Sequence, residues 1–168
     1  MLPESLARAR ALLENVTPLK SDCGLTCGHI CCQPMEAEMT GMLLFPGEAA
    51  YSVGREGYRT VDTADGPLLI CSGRCNRADR PLSCRLMPLI PLLREDGVKV
   101  ATDLRAKTVC PLARMGKDAL DSEFVSAVRE VGRILAEDDE QRAFLVKLTA
   151  HQDELKALRN QFRRGSHV

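Results

Sequence analysis

Apolar positions fall into three regimes along the chain. Near the start, Leu6, Ala9, Leu13 and Val16 recur at helical spacing. Pro3 suits a first turn and Thr17-Pro18 a stop, which predicts a helix over residues 3–16 that covers the core. In the middle, short apolar runs alternate with turn residues. Met39 to Phe45 is apolar and stops at Pro46-Gly47, and Glu48 to Val53 fits one short helix. Tyr58 to Asp62 and Pro67 to Cys71 flank Ala64-Asp65-Gly66, the pattern of a hairpin whose second strand ends on a cysteine. Leu89 to Arg94 and Val98 to Thr102 flank Glu95-Asp96-Gly97, a second hairpin with Asp-Gly in the turn, and Pro88 and Pro91 mark an edge strand. Asp103 to Arg114 leads out of it.

From Asp121 the period becomes helical and stays so. Phe124, Val125, Val128, Val131, Ile134 and Leu135 make one stripe. After the acidic break Glu137 to Glu140, a second stripe of Phe144, Leu148, His151, Leu155, Leu158 and Phe162 keeps heptad spacing. Two helices packed on the domain, or a contact with a protein partner or a second copy through these C-terminal helices, both satisfy that pattern.

The remaining stretches are poor in period and rich in thiols. Residues 21–33 hold Cys23, Cys27, Cys31 and Cys32, with Gly24 and Gly28 favouring a loop around a bound centre over a simple helix. Residues 71–92 hold Cys71, Cys75 and Cys84 together with Arg74, Arg77, Arg80 and Arg85, and Cys110 follows. Such segments need something to bind the sulfurs, and a metal is the expectation. The predicted fold is one α+β domain, 1–168, with a helix over 1–20, a cysteine-cluster core over 21–117 and a helical segment over 118–168. In it, small hairpins and loops gather around a cysteine-ligated metal centre.

Charge and hydropathy narrow the partners. Lys plus Arg and Asp plus Glu are 23 each, so no net field draws the chain to nucleic acid or an acidic membrane. No apolar signal core stands at the N-terminus, and about 18 uncharged apolar residues never run together. The expected place is the cytoplasm, off the membrane. There, eight cysteines point to metal or redox chemistry and not to a disulfide framework.

Thiolates suit zinc, iron-sulfur clusters and copper(I), and four of them complete a zinc site or one cluster. The three-residue gaps between Cys23, Cys27 and Cys31 match neither ferredoxin spacing nor the loop of radical enzymes that use S-adenosylmethionine. Adjacent Cys31 and Cys32 point apart in most backbone conformations, so one ligates while the other bridges or stays out. The arginines offset the negative charge of a four-thiolate centre or, alternatively, bind a phosphate or carboxylate through guanidinium forks. His29 is a ligand or a hydrogen-bond partner of a sulfur. His151 reads as a core or interface histidine. Glu48 and Asp103 are candidates for polar work only through nearness in sequence.

The crowded first cluster ending in Cys31-Cys32, followed by Cys75, eight residues, and Arg80-Pro81-Leu82-Ser83-Cys84-Arg85-Leu86-Met87-Pro88, resembles the YkgJ-like cysteine-cluster family of zinc- or iron-chelating domains. The resemblance spans about residues 23–112. The first cluster is spaced by three residues where the family more often has two, and Met87 and Arg77 stand where it more often has aromatics. The resemblance implies a metal centre, and a similar cysteine arrangement accompanies flagellin lysine methyltransferases. An iron-sulfur cluster or iron is expected ahead of zinc, because adjacent cysteines and an arginine-rich surround suit a bulky anionic centre. The expected role is structural or redox-sensing. The alternatives are a metal-dependent enzyme for a small anionic substrate and a metal storage or delivery protein.

Overall fold

A computed structural model describes residues 1–32, 41–73 and 75–165, the side chain of Cys32 excepted. The elements are α1 (Glu4–Leu12), α2 (Cys23–Cys27), β1 (Met42–Leu43), α3 (Glu48–Ser52), β2 (Tyr58–Thr63), β3 (Gly66–Cys71), α4 (Leu82–Leu86), β4 (Leu89–Arg94), β5 (Gly97–Thr102), α5 (Pro111–Met115), α6 (Ser122–Ala136) and α7 (Asp139–Gly165). Short 3-10 turns fill the joints at Ile30–Cys32, Arg77–Asp79, Leu104–Thr108 and Lys117–Ala119. The α+β class with helices at both ends holds.

Both hairpins form, each one residue tighter than the pattern suggested. Thr63 pairs with Gly66 and Arg94 with Gly97, so the turns are Ala64-Asp65 and Glu95-Asp96, and each glycine opens the returning strand. The strands make two small antiparallel sheets, β1-β3-β2 and β4-β5.

The core lies between the second sheet and the helices. Asp121 accepts from Glu123 N and starts α6, whose Phe124, Val128, Val131 and Leu135 are fully buried. Across α6 lie Leu6 and Ala9 of α1, Leu13 just past its end, and Leu89, Ile90 and Leu92 of β4. Gly132 is required on α6, because a Cβ there would stand 2.6 Å from Val98 Cγ1 and 2.7 Å from Pro91 Cβ. Helix α1 stops at Leu12, earlier than expected, yet its predicted apolar face is the buried one.

Helix α7 packs only in its first half. Phe144, Leu145 and Leu148 are buried, Thr149 Oγ1 accepts from Leu93 N at 3.0 Å, and Gln152 Oε1 accepts from Leu104 N at 2.9 Å. Beyond Gln152, Leu158 and Phe162 of the apolar stripe are exposed. Among the described residues, no helix is long and apolar enough to cross a membrane.

Candidate functional site

Tyr58 and Cys71 face each other across the β2-β3 ladder, and side chains directly opposite in an antiparallel pair share one face of the sheet. From Cys71 the chain runs through Cys75 to Asn76, whose side chain accepts from Ala78 N and closes the Arg77–Asp79 turn. Arg80-Pro81 then leads into α4, which carries Cys84. This short path brings Cys71, Cys75 and Cys84 to one cavity of about 400 Å³, and Cys31 joins them from the first cluster. Tyr58, Arg80 and Met87 also line that cavity.

Cys23, Cys27 and Cys110 form a neighbouring group that does not line the cavity. The first cluster is not the open loop expected. Asp22 accepts from Gly24 N to start α2, which sets Cys23 and Cys27 one turn apart on one face. Gly24 fits inside that helix because the His29 ring lies over it, where a Cβ would come within 2.3 Å of Nδ1. His29 can occupy that place because Gly28 and His29 both take left-handed backbone, at φ 68° and 56°. Burial pushes the Cys23 thiol up, and the negative charges of Asp22, Cys27 and Cys110 act the same way while Arg80 opposes them. Arg80 therefore serves both groups, since its Nε also donates to Cys75 Sγ at 3.2 Å.

The other arginines do something else. Arg85 is almost wholly buried and donates to the carbonyls of Arg77, Ala78, Arg80 and Arg10 and to Glu14 Oε2 at 2.6 Å. Arg77 donates to the carbonyls of Leu13, Glu14 and Val16 just past the end of α1, where acceptors lack helical partners. Arg10 answers from α1 to the Ala78 carbonyl at 3.0 Å and to that of Arg80. The three stitch the thiol-bearing turn to α1. Offsetting sulfur charge therefore falls to Arg80 among the described arginines; Arg74 and the Cys32 side chain lie outside the described residues.

Glu48 is the second clasp. Fully buried at the start of α3, it accepts from Phe45 N at 2.9 Å, from Leu82 N, and from Ser83 Oγ at 3.1 Å, so it caps α4 from across the fold. Burial raises its pKa, against the pull of those donors.

The cavity is also lined by polar Arg105, Asp103, Thr108 and His151 and by apolar Met42, Leu43, Leu68 and Val109. Asp103 accepts from Arg105 Nη2 at 2.7 Å and from Gln152 Nε2 at 2.8 Å, which locks Arg105 against α7. His151 on α7 thus borders the cavity, where its apolar-stripe position pointed only to packing.

Tyr58 is the residue that the pattern missed. Its hydroxyl is shielded from solvent and meets no hydrogen-bond partner among the described residues. The Cys75 sulfur lies beside it, a weak acceptor while it is a thiol. Burial above all, and then Cys75, Cys84 and Cys71, hold the phenol protonated far above its ordinary range. Only the cross-strand register with Cys71 could have signalled this role.

The seven cysteines whose side chains are described are thiols. Among the described residues, no three Cys, His, Asp or Glu side chains stand close enough to hold one metal ion. A single tetrahedral zinc draws its thiolates to roughly 3.8 Å from one another, so the described thiols are gathered around a chamber and not closed into such a site. The chain matches no family model, no curated protein and no solved structure.

Proposed function

We propose that this is a metal-binding protein in which cysteines gathered at the cavity hold an iron-sulfur cluster or iron, with zinc as the alternative, in a structural or redox-sensing role. One observation carries the reading. Four thiols from the first cluster, the end of β3, the following turn and α4 line a single cavity, with a guanidinium donating to one of them. The donor set is soft and suits these metals. The Tyr58 hydroxyl, buried without a full partner among the described residues and with the Cys75 sulfur beside it, is a group that a bound centre's sulfur would satisfy. The resemblance to the cysteine-cluster family points the same way.

Within this reading Cys31, Cys71, Cys75 and Cys84 hold the centre, and Cys23, Cys27, Cys32 and Cys110 complete it or hold a second. Bound iron would supply electron transfer or oxygen sensitivity, whereas zinc would supply a rigid crosslink. The protein's own part is to fix the thiols: Glu48 and the Arg10, Arg77 and Arg85 stitch hold the turn, and Arg80 offsets thiolate charge. In the double variant Cys75→Ser/Cys84→Ser, metal per chain should fall to background. Full retention would overturn the assignment.

The polar side chains of the cavity lining favour a second reading, an enzyme acting on a small anionic substrate. Arg105, held by Asp103, and His151 would receive the anion beside the thiols. Substrate-dependent change in the visible spectrum would support it, and loss of that change in Arg105→Leu would place the anion.

A further inference from the structure

Tyr58 combines three features that a packing role does not require. Its ring is fixed opposite Cys71 by strand register, so it stands on the face of the sheet that carries this thiol. It lines the same cavity as Cys75 and Cys84. Its hydroxyl is buried without a full hydrogen-bond partner among the described residues, and only the weakly accepting Cys75 thiol lies beside it. Buried hydroxyls are ordinarily paired, and one left alone costs desolvation that phenylalanine would avoid at the same site. A phenol placed so gains a strong acceptor when the sulfur beside it binds metal.

Resting on the metal-centre reading above, we propose that Tyr58 is a positioning residue of that centre, whose hydroxyl donates a hydrogen bond to a sulfur of the bound metal site. Sulfur bound to metal carries more negative charge than a thiol and is the better acceptor, so the bond forms when metal does. It draws electron density from the sulfur and holds the ligand in place.

The test compares wild type with Tyr58→Phe, both carrying the metal with which they are purified. The readouts are the sulfur-to-metal charge-transfer band, read after cobalt(II) exchange if the metal is colourless, and the rate of metal transfer to a chelator. The variant should hold the same metal, with the band moved to lower energy and transfer roughly two- to tenfold faster, the worth of one hydrogen bond. A role in packing alone would move neither, because the ring is retained. Equal band and rate in two metal-loaded proteins overturn the inference and leave the metal centre standing. No metal in either protein overturns the metal centre itself. Should Tyr58→Phe alone come without metal, ring-fluorinated tyrosine decides, being a stronger donor of nearly the same shape. The only other tyrosine, Tyr51, lies under Arg10 and Arg55 and not at the cavity. A band moved to higher energy then supports the bond, and an unmoved band overturns it.

Discussion

Replacing Glu48 by alanine should do damage well beyond its own side chain. The carboxylate takes two backbone N–H groups and one hydroxyl, all inside the protein, and Phe45 and Leu82 have almost no solvent exposure. Without it the Ser83 hydroxyl can turn to another acceptor, but the two N–H groups cannot. Each buried donor left unmet costs about 1–3 kcal/mol, or about 2–6 kcal/mol for the pair. Relief of the carboxylate's own burial, visible in its raised pKa, returns part of this, so a net loss of about 2–5 kcal/mol is expected. That is a large share of the roughly 5–15 kcal/mol that holds a domain together. Glu48→Gln keeps the shape but turns an amide NH2 toward one donor, and should lose about 1–3 kcal/mol. Urea unfolding followed by circular dichroism measures both as a fall in midpoint at unchanged slope. Because α4 carries Cys84, Glu48→Ala should also retain less metal. A loss below about 1 kcal/mol in Glu48→Ala would refute the clasp, since even one orphaned donor costs that much.

Other substitutions test the frame around the site. Arg85→Lys keeps the charge but cannot reach five acceptors from one planar fork, and should lose about 2 kcal/mol or more in the same unfolding assay. Gly132→Ala should lower the melting temperature despite alanine's helical preference, because overpacking against Val98 and Pro91 costs about 1–3 kcal/mol. The Arg85 hydrogen bond and charge hold Glu14 below its ordinary 4.5, so its stabilisation is present above that pH and is lost as pH falls through the depressed value. Glu14→Gln should therefore flatten the acid limb of the stability curve. Glu48 has the opposite sign: its raised pKa means that stability falls as pH rises above 4.5 and through the folded value, a slope that Glu48→Gln should lack.

Much of the frame was legible because it depends on local rules. Both hairpins follow from turn residues between apolar runs, and α6 from six apolar positions at helical spacing that all reach the core or its edge. The cysteines that meet were legible as a set, since thiols so numerous and so poorly interleaved with apolar period need a common purpose. Arg77 and Arg85 turn elsewhere than expected for a physical reason. Nearness in sequence to Cys75 and Cys84 does not say which way a guanidinium turns, and the carbonyls around the end of α1 took Arg77 and Arg85. Tyr58, Arg105 and His151 join the cavity through long-range packing that no local pattern encodes. Helix α7 likewise continues one stripe through two environments, because periodicity records which residues share a face and not what covers it.

Metal and acid-labile sulfide content, with a visible spectrum, on protein purified without air tests the metal centre most directly. Iron with matching sulfide and broad charge-transfer absorption is the expected result. Zinc without sulfide would keep the centre and replace the cluster with a structural ion. Protein that is folded, colourless and free of metal would contradict the central claim, and the thiols around Tyr58 would then need another purpose.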